Sequence, residues 1–371
     1  MAVNVLDYFA RAVPVVVQKA IATYYMKDPL FKALLSKRRI NLQGGPQVRI
    51  PRVIGGHSSA VEISATNMRV PISGEPVLDT LSFDWGMYAQ PIVIPHWNRW
   101  RANTPADFQA MLKDTTMAAL SSFKRNVSKH IYFGNTTQAN GVSFSRLGTL
   151  NGLTTGLASL GLENGAIRFQ TPSAQAAAAV TYLGGTRSLD TGAYNANNWF
   201  NQYAAHNGVN VDFFDAVELV KMQADSFCDE SEDEGITLGL CGTDTARKIS
   251  RAARLYPGTG VQAQVVLTLK DLEAGKAVPR VNAAAGVVFH PVRWMDTTLY
   301  SYSSAASLPT ELAYLINPMA VSWHVNAGMD FRVGKWVNML DANNTYADRC
   351  LVELQAQFTV DNLLKCGAVS Q

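Results

Sequence analysis

The sequence predicts an α+β protein in which one long helix packs against a sheet that contains one long strand. Residues 104–133 carry apolar side chains at spacings of three and four, which is typical of an amphipathic helix. Residues 349–360 alternate apolar and polar side chains, as a half-buried strand does. Between these segments, residues 165–300 alternate helical and strand patterns, which favours a separate α/β lobe.

The N-terminal segment is basic. Residues 1–52 contain nine Lys or Arg and two Asp. Residues 4–35 read as one or two short helices, broken near Pro14 and Pro29, and helices this short need a surface on which to dock. Two interpretations stay open at this point: a solvated arm, or an arm that contacts nucleic acid or acidic neighbours.

Residues 46–94 predict a hairpin. Residues 46–54 form its first strand, and Pro51 places that strand at an edge or a bulge. Residues 80–94 form its second strand, after about 25 weakly apolar residues, which is too little apolar surface for a core. The hairpin is either a loose surface excursion or an arm that lies on an adjacent subunit, and we favour the second interpretation.

The long helix has clear start and stop signals. Thr104 suits the N-cap, Pro105 the first helical position and Gly134 the C-cap. At about 1.5 Å per residue the helix would span about 45 Å. The predicted core-facing stripe consists of Phe108, Leu112, Thr115, Ala119, Phe123, Val127 and Ile131. The opposite face carries charge at Lys113, Asp114, Lys124, Arg125 and Lys129.

The α/β lobe contains two further helices and short strands. Residues 212–228 predict a helix with one apolar side, and residues 243–255 predict a second, basic helix. Residues 236–241 predict a buried strand between them, and residues 287–294 predict another strand. Five acidic residues at 229–234 follow the first helix and are more typical of a solvated tip than of a cation site.

No catalytic or metal-binding pattern emerges from the sequence. The four cysteines form no CxxC pair, which fits a reduced compartment, and the six histidines have no metal-ligand spacing. Gly275-Lys276 is followed by Ala, so it is not a phosphate-binding loop. We therefore predict no enzyme activity, no cofactor and no metal. With 47% hydrophobic and 16% charged residues, the surface is of the kind that partners cover.

The order of these elements resembles the major capsid proteins of tailed bacteriophages, which have the Hong Kong 97 fold. Local cues are LGTLNGL after the long helix, TYLGGTRS followed by NNWF, AYLINP, and the ending FTVDNLLKCGAV. The resemblance implies a Hong Kong 97-like domain order: an N-terminal arm (1–45), an extended E-loop hairpin (46–100), a P-domain (101–164) with the spine helix 104–133, an α/β A-domain (165–300), and a return to the P-domain sheet (301–371) with the C-terminal tail directed towards the A-domain.

The resemblance also implies a function. Such proteins self-assemble into pentamers and hexamers that form an icosahedral shell around double-stranded DNA, so the expected location is the virion capsid, assembled in the host cytoplasm. The expected partners are other copies of the chain, portal, scaffold and cement proteins, and packaged DNA bound without sequence specificity; no membrane is expected. Candidate inter-subunit contacts are Arg38, Arg39, Arg49, Arg52, Trp85 and Arg187, and candidate genome-facing residues are Lys113, Lys124, Arg125 and Lys129.

The sequence departs from some members of the family. It begins at the arm without a long helical pro-segment, and no Lys–Asn pair can be assigned to a covalent cross-link, so we predict no isopeptide chain-mail. Two other functions stay open. One is an encapsulin-like compartment that holds a protein cargo. The other is a soluble α/β enzyme that uses Arg187, His290 or His324 in a cleft.

Overall fold

A computed structural model describes residues 29–30, 39–42, 45, 47–53, 78–97, 105–133, 166–177, 181–182, 185–186, 200–209, 211–228, 235–255, 283–292, 295, 311–339 and 346–371. The helices with defined bounds are α1 (Pro105–Phe133), α2 (Pro172–Ala177), α3 (Val211–Asp225) and α4 (Thr243–Leu255), and a 3₁₀ turn spans Leu363–Lys365. None of these described helices is long and apolar enough to cross a membrane.

Sixteen strands are described. They are β1 (Arg39–Leu42), β2 (Gln47–Val53), β3 (Leu78–Asp84), β4 (Gly86–Pro95), β5 (Thr181–Tyr182), β6 (Gly185–Thr186), β7 (Gln202–Ala205), β8 (Leu238–Cys241), β9 (Ala283–Ala284), β10 (Val287–Pro291), β11 (Ala313–Ile316), β12 (Val321–Asn326), β13 (Arg332–Val333), β14 (Val337–Asn338), β15 (Ala347–Val360) and β16 (Gly367–Ser370).

The chain divides into two compact units. Unit 1 comprises residues 1–46, 84–147 and 323–358, and unit 2 comprises residues 47–83, 148–322 and 359–371. Each unit is built around one six-stranded sheet.

The sheet of unit 1 is organised around β15, as its long alternating pattern predicted. β15 pairs antiparallel with β4 over ten residues, from Ala347 opposite Pro95 to Ala356 opposite Gly86. Strand β15 also pairs with β12, β13 and β14, and β1 pairs with β12 in parallel. The six apolar residues of the alternation, at even positions from Cys350 to Val360, are all buried. The prediction of a long half-buried strand is therefore confirmed as far as Ala356, whereas beyond it Gln357 and Thr359 on the other side of β15 are buried as well.

Helix α1 packs against this sheet, and its 29 residues confirm the predicted long helix. At about 1.5 Å per residue it is about 44 Å long, close to the span of about 46 Å expected for the 14 residues of β15. The Phe123 ring meets the edges of Tyr88 and Phe331, with ring centroids 6.3 and 5.5 Å away. The helix and the longest strand of the sheet are therefore about equal in length, and Phe123 anchors the helix on the sheet through Tyr88 of β4 and Phe331.

The core-facing stripe of α1 differs from the predicted one at its middle. Leu112, Phe123, Val127 and Ile131 are buried as expected, but Thr115 and Ala119 are only half-buried, and the side chain of Phe108 lies outside the described residues. Their neighbours Thr116 and Leu120 are buried instead. The path 112, 116, 120, 123 follows the 3.6-residue turn better than the predicted path, which placed its step of three residues after Leu112 when the structure has it after Leu120.

The second strand of the predicted hairpin is in fact two strands. β3 pairs with β2 in a two-stranded sheet, and β4 pairs with β15. The break falls at Trp85, which is buried and whose indole Nε1 donates a hydrogen bond to the Gly45 carbonyl oxygen at 3.0 Å. An indole N–H that is buried needs such a partner, and this contact ties the junction between β3 and β4 to Gly45.

Unit 2 contains a sheet in the order β7-β16-β11-β8-β10-β9. The C-terminal strand β16 pairs antiparallel with β11 and parallel with β7. Helix α3 buries Phe213, Val217, Val220 and Ala224, so its predicted apolar side is confirmed. Helix α4 has the predicted bounds and buries Ala246, Ile249 and Ala252 in the same cluster. The predicted strand at 287–294 is confirmed only as far as Pro291.

Buried hydrogen bonds connect Arg168 and Gln175 to Asn201 within unit 2. The Asn201 side chain accepts a hydrogen bond from Arg168 N at 2.7 Å and donates to Arg168 O at 2.9 Å. The Gln175 amide donates to Asn201 O at 2.8 Å. Because these amide groups are buried, each of these bonds replaces one with water that folding removed.

Candidate assembly surfaces

The described residues present exposed charged and apolar side chains on α1, on the sheet of unit 1 and on two helices of unit 2. No group of three or more His, Cys, Asp or Glu within the described part of the chain could hold a metal ion. Of the two histidines considered for an enzyme, His290 is half-buried on β10 in unit 2, and His324 is buried on β12 in unit 1.

The outer face of α1 carries the candidate genome-facing residues. Lys113 and Arg125 are exposed, and Lys124 is half-buried. Lys129 lies on the helix, but its side chain is outside the described residues. The helix packs on β4 through Phe123, so half-buried Lys124 lies at the flank of this contact and exposed Arg125 lies on the solvent side. Met117 shares the outer face and is 43% exposed.

The sheet of unit 1 has a second face, directed away from the α1 seam. On β4 the alternation that buries Tyr88 and Ile92 leaves Met87 and Val93 on this second face, 53% and 41% exposed. Val337 on β14 is 54% exposed. Val337 and Val93 both lie opposite Arg349 of β15, so these apolar side chains and the arginine form one mixed patch on this face.

A groove of about 460 Å³ lies next to this patch, within unit 1. It is lined by Arg332, Gly334, Lys335, Val337, Met339, Arg349, Leu351 and Glu353. Three of these residues are cations and one is an acid, so the groove is positive. The Nε of Arg349 is buried and has no hydrogen-bond partner among the described residues. Burial, with the Glu353 carboxylate as a second cause, raises the pKa of the neighbouring Cys350 thiol to about 11.

The arm residues are described only in part. Arg39 begins β1, where its backbone lies opposite Trp323 of β12, but its side chain is outside the described residues. Arg38 and Arg187 are also outside them. Strand β1 therefore belongs to the sheet of its own chain.

The hairpin residues divide in the same way. Arg49 on β2 is exposed, and Arg52 lies on the same strand with its side chain outside the described residues. Trp85 was predicted as an inter-subunit contact, but it is buried against its own chain and hydrogen-bonded to Gly45. A side chain that is already covered by its own chain has little surface to offer a neighbour, and the role of Trp85 as an inter-subunit contact stays a prediction.

Helices α3 and α4 of unit 2 present outer faces of opposite charge; the basic character of α4 was predicted, but the acidic face of α3 was not. Asp212, Asp215 and Glu218 are exposed on α3. Arg247 and Arg251 are exposed on α4. The signal was present in the sequence, because residues three or four apart on a helix share a face. The groove on unit 1 left no such signal, since its residues come from two separate segments.

Of the comparisons with known proteins, the one with solved structures indicates the fold. No model of a known protein family matches the chain, and no curated protein matches it. Among solved structures, the chain is similar to one in the capsid asymmetric unit of cyanophage A-1(L), with 11% identity over 91% of this chain and 91% of that chain, at a TM-score of 0.54. It is also similar to one in the capsid of a native GTA particle, with 10% identity over 91% of this chain and 89% of that chain, at a TM-score of 0.51.

These likenesses identify the class of the fold. The protein has a mixed α+β fold of the kind found in capsid proteins, and the match extends over 91% of the chain. The fold predicted from the order of the sequence elements is in this respect confirmed.

Proposed function

We propose that this chain is the major capsid protein of a tailed bacteriophage, which assembles into pentamers and hexamers and closes an icosahedral shell around double-stranded DNA. The observation that carries the proposal is the likeness to capsid proteins over 91% of the chain. Because the match is so extensive, it is not limited to one common α/β motif. On this proposal the protein acts by forming contacts and has no catalytic step.

The two units suggest a division of labour within the Hong Kong 97 fold. Unit 1, with α1 on the β15 sheet, corresponds to the P-domain with its spine helix, and unit 2 corresponds mainly to the A-domain. Residues 1–45 would form the N-terminal arm, and residues 46–100 the E-loop. What supports this assignment is the length of α1 and β15, which far exceeds the usual length of about eleven residues for a helix and about five for a strand.

The hairpin is proposed to lie on a neighbouring copy. β2 and β3 pair with each other in a two-stranded sheet, and isolated two-stranded sheets are marginally stable in water. A neighbour that covers the hairpin would supply the missing contacts, so that ordering of the hairpin and assembly would be coupled. Arg49, exposed on β2, is a contact candidate, together with Arg38, Arg39, Arg52 and Arg187.

The outer face of α1 is proposed to meet the packaged DNA, through Lys113, Lys124, Arg125 and Lys129. Such contacts would be independent of sequence and weakened by salt, because they release counterions from phosphates. In particles that carry Lys124→Gln with Arg125→Gln, we expect less nuclease-protected DNA and an earlier loss of DNA as salt rises. Neutral substitutions at Ser121 and Ser122, exposed on the same helix, provide the control. Equal DNA retention in both variants would contradict this orientation.

Negative-stain microscopy of the purified full-length chain, with size-exclusion chromatography, tests the proposal as a whole. We expect rings or closed shells in the megadalton range. A stable monomer or dimer would refute a shell protein and favour the enzyme alternative. Nuclease-resistant DNA inside the shells would support a virus, whereas an enclosed enzyme would favour the encapsulin-like compartment.

The proposal includes partners and a location. The main partner is the chain itself, and portal, scaffold and cement proteins would complete the head. The shell would be assembled in the host cytoplasm and remain as the virion capsid. Copurification of such proteins with shells from infected cells would identify these partners.

A further inference from the structure

The exposed faces of α3 and α4 differ in sign and are both held firmly by the core of unit 2. Helix α3 is fixed through Phe213 and Val217, and helix α4 through Ile249, all of which have no exposed surface. A helix anchored in this way presents its outer side chains at a fixed angle. The two faces are therefore preformed, which reduces the entropy lost on binding.

The α3 face combines negative charge with exposed apolar surface. Asp212, Asp215 and Glu218 recur every three residues and are all exposed. Leu219 and Met222 follow on the same side and are 50% and 66% exposed. Exposed apolar side chains bounded by carboxylates are suited to a partner that brings both a cation and an aliphatic stem.

The α4 face offers that combination. Arg247 and Arg251 lie four residues apart, and the Arg247 side chain is 73% exposed. Lys248 is already held within unit 2, because its Nζ donates to Glu311 Oε1 at 2.5 Å. Arg247 Nη2 donates to Asp244 Oδ1 at 2.9 Å, but an ion pair as exposed as this is weak and can be exchanged for another. Among the described side chains of α4, the two arginines are thus the cations with the most exposed surface.

We propose that the α3 face of one copy binds the α4 face of the next copy, so that unit 2 joins head to tail around a ring. This inference rests on the proposed shell function and names the two surfaces that would form each ring. The arginine stems would cover Leu219 and Met222, while their guanidinium groups meet Asp215 and Glu218.

The charges also disfavour a two-fold symmetric dimer. In a two-fold dimer the same patch meets itself, so α3 against α3 would bring three carboxylates against three. Two α4 faces would likewise bring arginine against arginine. Like charges at an interface suppress such pairings, whereas two different and complementary faces lead to a ring.

Charge reversal tests the contact. The variant Asp215→Lys with Glu218→Lys makes both faces positive, and the variant Arg247→Glu with Arg251→Glu makes both negative. We expect each purified variant to form rings at least about tenfold less than the unaltered chain, as measured by mass photometry, because like-charged faces repel. Circular dichroism and thermal unfolding of each variant establish that the exposed substitutions leave the fold intact.

The combined variant with all four substitutions is the matched control. It restores opposite faces with their signs exchanged, so we expect rings and shells to return. If it folds and still forms no rings, these faces do not pair. If either of the two-substitution variants assembles like the unaltered chain, the contact is likewise overturned.

Mixing the two assembly-defective variants gives a sharper test. A positive copy can bind only a negative one, so the two must alternate around a ring. Alternation closes a ring of six, but a ring of five must contain at least one like-charged contact. We therefore expect the mixture to recover six-membered rings and not five-membered ones. A mixture that forms no rings, or that forms both kinds equally well, overturns the proposal.

These outcomes separate the contact from the shell function. An unaltered chain that forms no rings contradicts both. Rings in the unaltered chain together with normal assembly of the reversed variants contradict only the pairing of α3 with α4.

Discussion

Replacing Phe123 with alanine tests whether the seam between α1 and the β15 sheet is the main stabilising feature of unit 1. Phe123 is buried and contacts the rings of Tyr88 and Phe331 edge to face. Phe331 has a φ of +50°, which is costly for a bulky residue and is maintained by the packing around it. Phe123→Ala removes that packing and leaves a cavity.

The expected loss can be estimated. Buried Phe→Ala substitutions cost about 3–5 kcal/mol, and we expect about 4 kcal/mol here because two aromatic contacts are lost with the apolar area. With a urea m-value of about 2 kcal/mol/M, the unfolding midpoint of unit 1 falls by about 2 M. Urea titration followed by circular dichroism, which detects the 29-residue α1, measures this shift.

Met117→Ala is the matched control. Met117 lies on the same helix and is 43% exposed, and alanine favours the helix more than methionine does. Its substitution should change the free energy of unfolding by no more than about 0.5 kcal/mol. The reasoning is refuted if Phe123→Ala shifts the midpoint by less than about 0.5 M, or if both variants shift it equally.

Two further predictions concern buried positions. A Cβ on Gly367 would overlap the Val220 side chain, so Gly367→Ala should destabilise unit 2 by about 1–3 kcal/mol. The loss should be smaller when Val220→Ala is also present. Urea unfolding of the two single variants and the double variant measures both losses of stability. At pH 8 a thiol reagent should label the half-buried Cys228 long before Cys350, because burial and Glu353 raise the pKa of Cys350 to about 11; mass spectrometry of digested protein gives the order, and equal labelling would contradict it.

The long periodic elements could be predicted from the sequence, and the reason is physical. In α1 and β15 many residues repeat one spacing, so the pattern outweighs any single exception such as Leu351 on β15. The core-facing stripe of α1 was less accurate, because steps of three and four residues are both allowed after Leu112, and the sequence alone did not favour Thr116 over Thr115. Short elements such as β13 and β14 offer too few residues for a periodic signal.

The features that depend on distant parts of the chain could not be predicted. Alternation continues through Leu81, Phe83 and Trp85, and Gly86 is the one local interruption of this pattern; the partner of the Trp85 indole, the Gly45 carbonyl, comes from forty residues away. The groove on unit 1 likewise requires residues 332–339 to lie beside residues 349–353. The faces of α3 and α4 differ in this respect, because each is contained in one helix and could be identified from spacing alone.

Weak ion pairs between copies can hold a ring together only if the helices that present them are rigid. Exposed ion pairs contribute only about 0.2–1 kcal/mol each, so a contact between Glu218 and Arg247 alone would not hold two copies together. Contacts of that strength accumulate only if every copy presents them at the same angle, since a flexible helix would lose in entropy what the pair gains. The buried side of α3, from Phe213 to Ala224, provides that fixed angle. A substitution in this buried side should therefore weaken ring formation even though it touches no neighbouring copy.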